Sequence, residues 1–303
     1  MAGLTARPAR REVLAALAAG GATALLAASL PSPLRAAQPL RVATLDWLGT
    51  EFCLTAGLAP VGVADLPGYL QWVGFGAADL AQAADLGSRQ QPGLETLARL
   101  KPDLILGSAY RHASLEAELA RIAPVALLPD KGPGDQLHLI RAAYDACAAA
   151  IGADAAPAQS HFDATLAALA ETVVARGLSG APVVLAQPLE GTPRLRVFNA
   201  DAAAMRALAL TGVTPAVPAN GEAFGFATMG IEGLAALSPE TRLLLLADAL
   251  PAELGDSAIW PLLPVVKAGG LILTGRVWSF GGLQVLADLS EHAVNALIAG
   301  GRG

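Results

Sequence analysis

Two stretches of the chain carry the same order of apolar and polar positions. RVATLDWLGTEFCLTAGLAPVGV, from Arg41, and RVFNADAAAMRALALTGVTPAV, from Arg196, each read as an apolar strand, a helix that stops at a glycine, and a turn into a second strand. Gly57 aligns with Gly212 and Pro60 with Pro215. A second pair follows in the same order, GLETLARLKPDLIL from Gly93 and GIEGLAALSPETRLLLL from Gly230. Each is a short helix that opens on Gly-hydrophobe-Glu, stops before proline and feeds an apolar strand. Continuous apolar strands alternating with helices predict parallel sheets covered on both faces, and two copies predict two similar α/β lobes.

Between the copies lies QLHLIRAAYDACAAAIG, in which Leu137, Ile140, Tyr144, Cys147 and Ile151 recur at steps of three and four and so share one helical face. Its position predicts a helix that joins the lobes and limits their relative motion. An ordinary surface helix of one lobe is the simpler reading of the same pattern.

Composition narrows the function classes without choosing among them. The 303 residues suit one large or two modest globular domains with full cores, only 15% are charged, and the formal net charge is −6. An acidic chain without a Lys/Arg run is a poor candidate for binding nucleic acid.

The leader adds a compartment. Arg7, Arg10 and Arg11 precede an uncharged, Ala- and Gly-rich run from Val13 to Leu30, followed by Pro31, Pro33 and Arg35-Ala36-Ala37. A basic head, a short apolar body and a small-residue exit predict a secretory signal over residues 1–37, too weakly apolar for a permanent membrane span. Arg10-Arg11 followed by Glu12-Val13-Leu14 resembles a twin-arginine signal, with an ordinary Sec signal as the alternative. No cysteine lies at the exit to carry a lipid, so a soluble periplasmic product is expected. An oxidising compartment permits a Cys53–Cys147 bridge, although both residues sit in helical, apolar contexts where cysteine usually acts as a small core residue.

TLDWLGTEFCLTAGLAPVGVADLPGYLQWV, DLGSRQQPGLETLARLKPDLILGSAY and GRVWSFGG carry a more specific signal. Through them the chain resembles the periplasmic iron(III)-hydroxamate (ferrichrome-type) binding proteins of ABC importers, in the helix-linked substrate-binding class. The resemblance runs through nearly the whole mature chain. It implies two Rossmann-like α/β lobes, at 38–133 and 158–303, joined by one long helix at 134–157, with a shallow ligand cleft between them. It implies a monomeric, non-catalytic protein without a cofactor, whose ligand is an Fe(III)–siderophore complex and whose partner is an inner-membrane permease.

Such a ligand saturates its own iron with oxygen, so a site needs apolar walls and a donor for hydroxamate oxygens rather than metal ligands. Trp47, Trp72, Phe224, Trp278 and Phe280 match positions that line the family's cleft. Trp47 is equally placed to be a core residue, and Trp260, outside the motifs, reads as packing. Arg89 matches the arginine, and Tyr110 the tyrosine, that contact the hydroxamate in the family; a fixed fork of cationic donors suits that task. Glu95 and Glu232 match the pair of glutamates that dock on the permease, though each also reads as an acid that opens a helix. The sequence departs from the family pattern at Phe224 (usually Trp), Phe226 (usually small and hydrogen-bonding) and Phe280 (usually Tyr), which predicts a second-lobe wall poor in polar handles.

Two other readings remain open on the residues. Cobalamin or haem would also fit an aromatic cleft. An exported α/β enzyme is the more distant reading, since the chain has no G-x-S-x-G, phosphate-loop or H-E-x-x-H motif. His112, His138, His161 and His292 are scattered in polar or helical contexts and read as surface residues, which argues against direct metal binding.

Overall fold

The computed structural model describes residues 39–300. The expected signal segment 1–37 lies outside the described residues. No described helix is long and apolar enough to cross a membrane.

The first lobe opens with β1 (Val42–Thr44) and α1 (Trp47–Thr55), followed by β2 (Gly62–Val63), α2 (Leu66–Trp72) and β3 (Ala84–Asp85). It continues through α3 (Leu94–Leu100), β4 (Leu104–Ser108), the one-turn α4 (Ala109–His112) and β5 (Val125–Leu128). The sheet order is β3-β2-β1-β4-β5 and every pairing is parallel. Val42, Ala43, Ile105 and Leu106 are fully buried, as expected of strands covered by helices on both faces. The order reverses between β1 and β4, which opens a crevice at their carboxyl ends, the usual ligand position in such sheets.

Next come α5 (Gln136–Ile151) and α6 (Ala156–Ala175), and then β6 (Pro182–Pro188), β7 (Arg194–Phe198), α7 (Ala203–Leu210) and β8 (Thr214–Pro215). The chain finishes with β9 (Phe226–Gly230), β10 (Arg242–Leu245), β11 (Leu271–Leu273) and α8 (Leu283–Gly300). The second sheet has the order β11-β10-β6-β7-β9, with β8 also pairing β6. It is not the all-parallel sheet that the repeat predicts. β10, β11 and β8 run parallel to their partners, but β7 is antiparallel to both β6 and β9.

The repeat explains the difference. β6 holds the place that β1 holds in the first lobe, paired in parallel with the strand that follows the short helix (β10) and with the strand after the repeat helix (β8). β7 is an added hairpin strand between β6 and α7, so the sequence echo at Arg196 begins on an insertion and becomes structurally equivalent only from the helix onward. The helix of the second echo is also altered, an α-helix at Leu94–Leu100 but a 3-10 helix at Ile231–Ala236.

α5 begins at Asp135, whose carboxylate accepts from His138 N, and ends at Gly152 in the left-handed region. Leu137, Tyr144 and Cys147 on its apolar face are buried, and the helix packs against α1 of the first lobe and α7 of the second. Phe52 of α1 meets Tyr144 edge-on, with ring centroids 5.1 Å apart. Cys53 and Cys147 are both buried and both free. One continuous apolar cluster contains residues of β1, α1, α5, α6, α7 and α8, so the lobes share a core rather than meeting at a surface.

The N-terminus of α8 adds a polar tie to that core. Glu51 of α1, fully buried, accepts from Gly282 N at 2.5 Å and Val285 N at 3.1 Å. The carboxylate satisfies two of the backbone donors that a helix start leaves without partners. Glycine is required at 282 because a Cβ there would lie 2.5 Å from the Phe52 ring and 2.9 Å from Glu51 Oε1.

Candidate functional site

Segments that follow β1, β3, β4 and β5 converge on the crevice with segments that flank β7, β9 and α8. Two adjoining cavities result, of about 260 Å³ and about 500 Å³, which share Arg196 and Trp278.

Asp46 caps α1 through Leu48 N and, with its other oxygen, accepts from Arg111 Nε at 3.0 Å. Ser108, at the end of β4, caps α4 by accepting from Arg111 N, and its hydroxyl donates to Asp130 at 2.5 Å. Burial pushes the Asp130 carboxyl up, against the hydrogen bonds from Ser108 and Tyr110 N. Sequence reasoning did not single out Asp46, Arg111 or Asp130, although an aspartate directly ahead of the α1 pattern was a readable N-cap signal.

His112 corrects the surface reading of the histidines. It is fully buried, Nδ1 accepts from Ser108 N at 2.9 Å, and the remaining Nε2–H donates to the Arg89 carbonyl at 2.7 Å. The ring thereby fastens the Arg89 loop to the end of β4. The other three histidines are exposed.

The Arg89 guanidinium lies 3.6 Å from the centroid of Trp47, and its Nε stands 3.5 Å from Asp65 without a hydrogen-bond partner. Desolvation lowers the Arg89 pKa, partly offset by Asp46. Trp47 combines both expected roles: it is 5% exposed, donates Nε1–H to the Asp65 carbonyl at 3.2 Å, and lines the smaller cavity. Across the crevice Trp278 meets it edge-on at 5.1 Å, and Trp72 lies 6.2 Å from Trp278 on the wall of the larger cavity. Trp260 is buried in the second lobe's separate core.

Phe198, Phe224, Phe226 and Phe280 form a cluster on the second lobe with centroids 5.5–6.5 Å apart. Phe224 stands at φ +64°, a left-handed conformation rare for a bulky side chain. Strain of this kind costs on the order of 1–3 kcal/mol and is typical of functional positions. Tyr110 lies outside both cavities, half exposed at the rim, with its ring 5.7 Å from Phe224 and Lys131 Nζ 3.8 Å above it. Glu95 and Glu232 are exposed, each in the first turn of its helix, and neither lines a cavity.

No family model matches the sequence. The iron(3+)-hydroxamate-binding protein FhuD of Escherichia coli (strain K12) is 28% identical over 256 residues, spanning 81% of this chain and 83% of that protein. The crystal structure of the Fe3+-Desferal-bound siderophore-binding protein FhuD of Vibrio cholerae superposes with a TM-score of 0.77 at 27% identity, covering 86% of this chain and 99% of that one. The chain is a homologue of the FhuD binding proteins. Staphylococcus aureus FhuD2 with bound ferrioxamine B shares the fold at TM-score 0.70 and 14% identity, over 87% of this chain and 100% of its own.

Within this FhuD-type fold, the largest omission from the sequence reading is Arg196 of β7. It donates to Gln187 Oε1 at 3.1 Å, lies 5.6–5.7 Å from the rings of Phe226 and Phe280, and lines both cavities. Its strand was visible as part of the repeat, but an arginine inside an apolar strand gave no sign of facing a cleft. Ser279 is also new to the site, 3% exposed with its Oγ unpartnered.

Proposed function

We propose that this chain is the periplasmic substrate-binding component of an ABC importer, and that its ligand is a ferric hydroxamate siderophore. The carrying observation is the Arg89 guanidinium, stacked on Trp47 with a buried Nε that has no hydrogen-bond partner, in a cavity walled by Trp278, Phe224 and Phe280. An unsatisfied buried cationic donor beside aromatic rings suits a chelate with an organic shell and negatively polarised oxygens. The iron arrives as cargo with its coordination complete.

In this reading residues 1–37 direct export, 38–133 and 158–303 are the two lobes, and 134–157 is the link between them. The bound chelate is covered by a small closure rather than a wide hinge motion, because the lobes share a core through α5. Glu95 and Glu232 then meet the permease as exposed carboxylates, one from each lobe, and the protein acts as a monomer. The relatives named above are binding proteins, which supports a non-enzymatic role.

Quenching of tryptophan fluorescence tests the reading, with ferric hydroxamates, a ferric catecholate, haem and cobalamin as titrants. Saturation confined to hydroxamates, and weakened in Arg89→Ala, is the expected result. Saturation by cobalamin or haem alone would overturn the ligand assignment.

A further inference from the structure

Phe224, Phe226 and Phe280 replace polar or hydrogen-bonding residues of the family pattern, but β7 returns a charge to the same wall. Arg196 is half-buried where the two cavities meet. The other cleft guanidiniums each have a carboxylate within 4 Å: Asp65 at 3.5 Å from Arg89, Asp46 at 3.0 Å from Arg111 and Asp248 at 3.7 Å from Arg276. Arg196 has none among the described residues, and its one side-chain partner is the neutral Gln187. Burial alone lowers its pKa. A partly desolvated cation without a counter-charge is costly in the empty protein and is relieved by a ligand that brings one. Ser279 Oγ is a second, independent sign of a missing polar partner in the smaller cavity, buried and without a hydrogen bond, and its hydroxyl can donate to an anionic oxygen.

We infer that Arg196 is a specificity-determining residue that pairs with an anionic group on the bound chelate, so that the cleft prefers ferric hydroxamates bearing a carboxylate to neutral or cationic ones. This rests on the proposed function. The larger cavity gives an appended arm room beyond Trp278. In that cavity Arg276 is already paired with Asp248 and Glu190 repels an anion, which leaves Arg196, where the cavities join, as the cation open to the arm's carboxylate. In the smaller cavity Asp46 is engaged by Arg111, and Asp130 by Ser108 and Tyr110 N.

The test compares ferrioxamine B with its N-acetyl and N-succinyl derivatives, which keep one ferric chelate while the tail changes from cationic to neutral to anionic. The succinyl derivative is expected to bind roughly ten-fold more tightly than the acetyl one, the scale of one charge-assisted hydrogen bond. In Arg196→Gln that preference should shrink to about two-fold or less, whatever the change in absolute affinity for the acetyl derivative; Arg196→Lys should keep part of it. Added salt should reduce the wild-type preference, which supports the charge pairing even if the Gln variant fails to fold. Equal saturable binding of all three by the wild type, or a preference that survives in Arg196→Gln, overturns the inference and leaves the proposed function standing. Saturation by none of the three overturns both.

Discussion

Glu51 couples stability to pH in a direction that can be worked out in advance. The carboxyl is enclosed by α1 and the start of α8, and two effects oppose each other there. Backbone donors from Gly282 and Val285 favour the anion, whereas complete burial disfavours it. Burial is the larger effect and raises the pKa from 4.5 to about 7, with Asp288 adding in the same sense. The folded protein therefore holds this proton more tightly than the unfolded chain. Its stabilising contribution is complete below the unfolded value and is lost as pH rises through the folded one. A displacement from 4.5 to about 7 is worth about 3 kcal/mol, spent between pH 4.5 and about 7.5. Glu51→Gln removes the titration while keeping the shape. Urea unfolding of both proteins across this window isolates the site, because other titrating groups cancel in the difference. The Gln variant should gain about 3 kcal/mol on the wild type as pH rises. A difference independent of pH would show that the helix donors cancel burial, and one of opposite slope that they outweigh it; either result refutes the reasoning.

Three further outcomes are expected. Arg89→Ala should weaken ferric hydroxamate binding by roughly ten- to hundred-fold in a fluorescence titration, and Arg89→Lys should recover little, since the ammonium cannot reproduce the stacked fork. Phe224→Asn should hold stability within about 1 kcal/mol by urea unfolding, because asparagine tolerates the left-handed backbone, while binding weakens through loss of the aromatic wall. Cys53 and Cys147 should both react with a thiol reagent in denaturant and neither in the native protein, given their burial as free thiols; a protein with no reactive thiols even when unfolded would instead carry a bridge.

The readable part of this molecule is the part carried by local pattern. The strand–helix alternation and the helix at 136–151 with its buried face follow from periodicity, while Trp278, Phe224 and Phe280, which line the smaller cavity, were picked out by the family resemblance. What escaped depends on long-range placement. β7 looks like β1 in sequence, yet pairs antiparallel because it returns from β6 through a hairpin. Arg196 and His112 are polar residues whose role depends on which side of a strand or turn they occupy; one meets the cleft and the other the buried back of the Arg89 loop. Glu51 reads as an ordinary helix acid until the partner helix, 231 residues later, is in place.

The shared core bears on how the chain becomes folded at all. β1 and α1 are synthesised well before α8, but Val42, Leu48 and Phe52 belong to the same apolar cluster as Leu286, Val294 and Leu297 of that helix. Contacts spanning most of the chain are slow to form, and the surface awaiting them is open to aggregation in the meantime. The first lobe is thus not a finished unit waiting for a second. A chain lacking α8 would leave apolar positions of α1 uncovered, so the first lobe is completed only once α8 is in place.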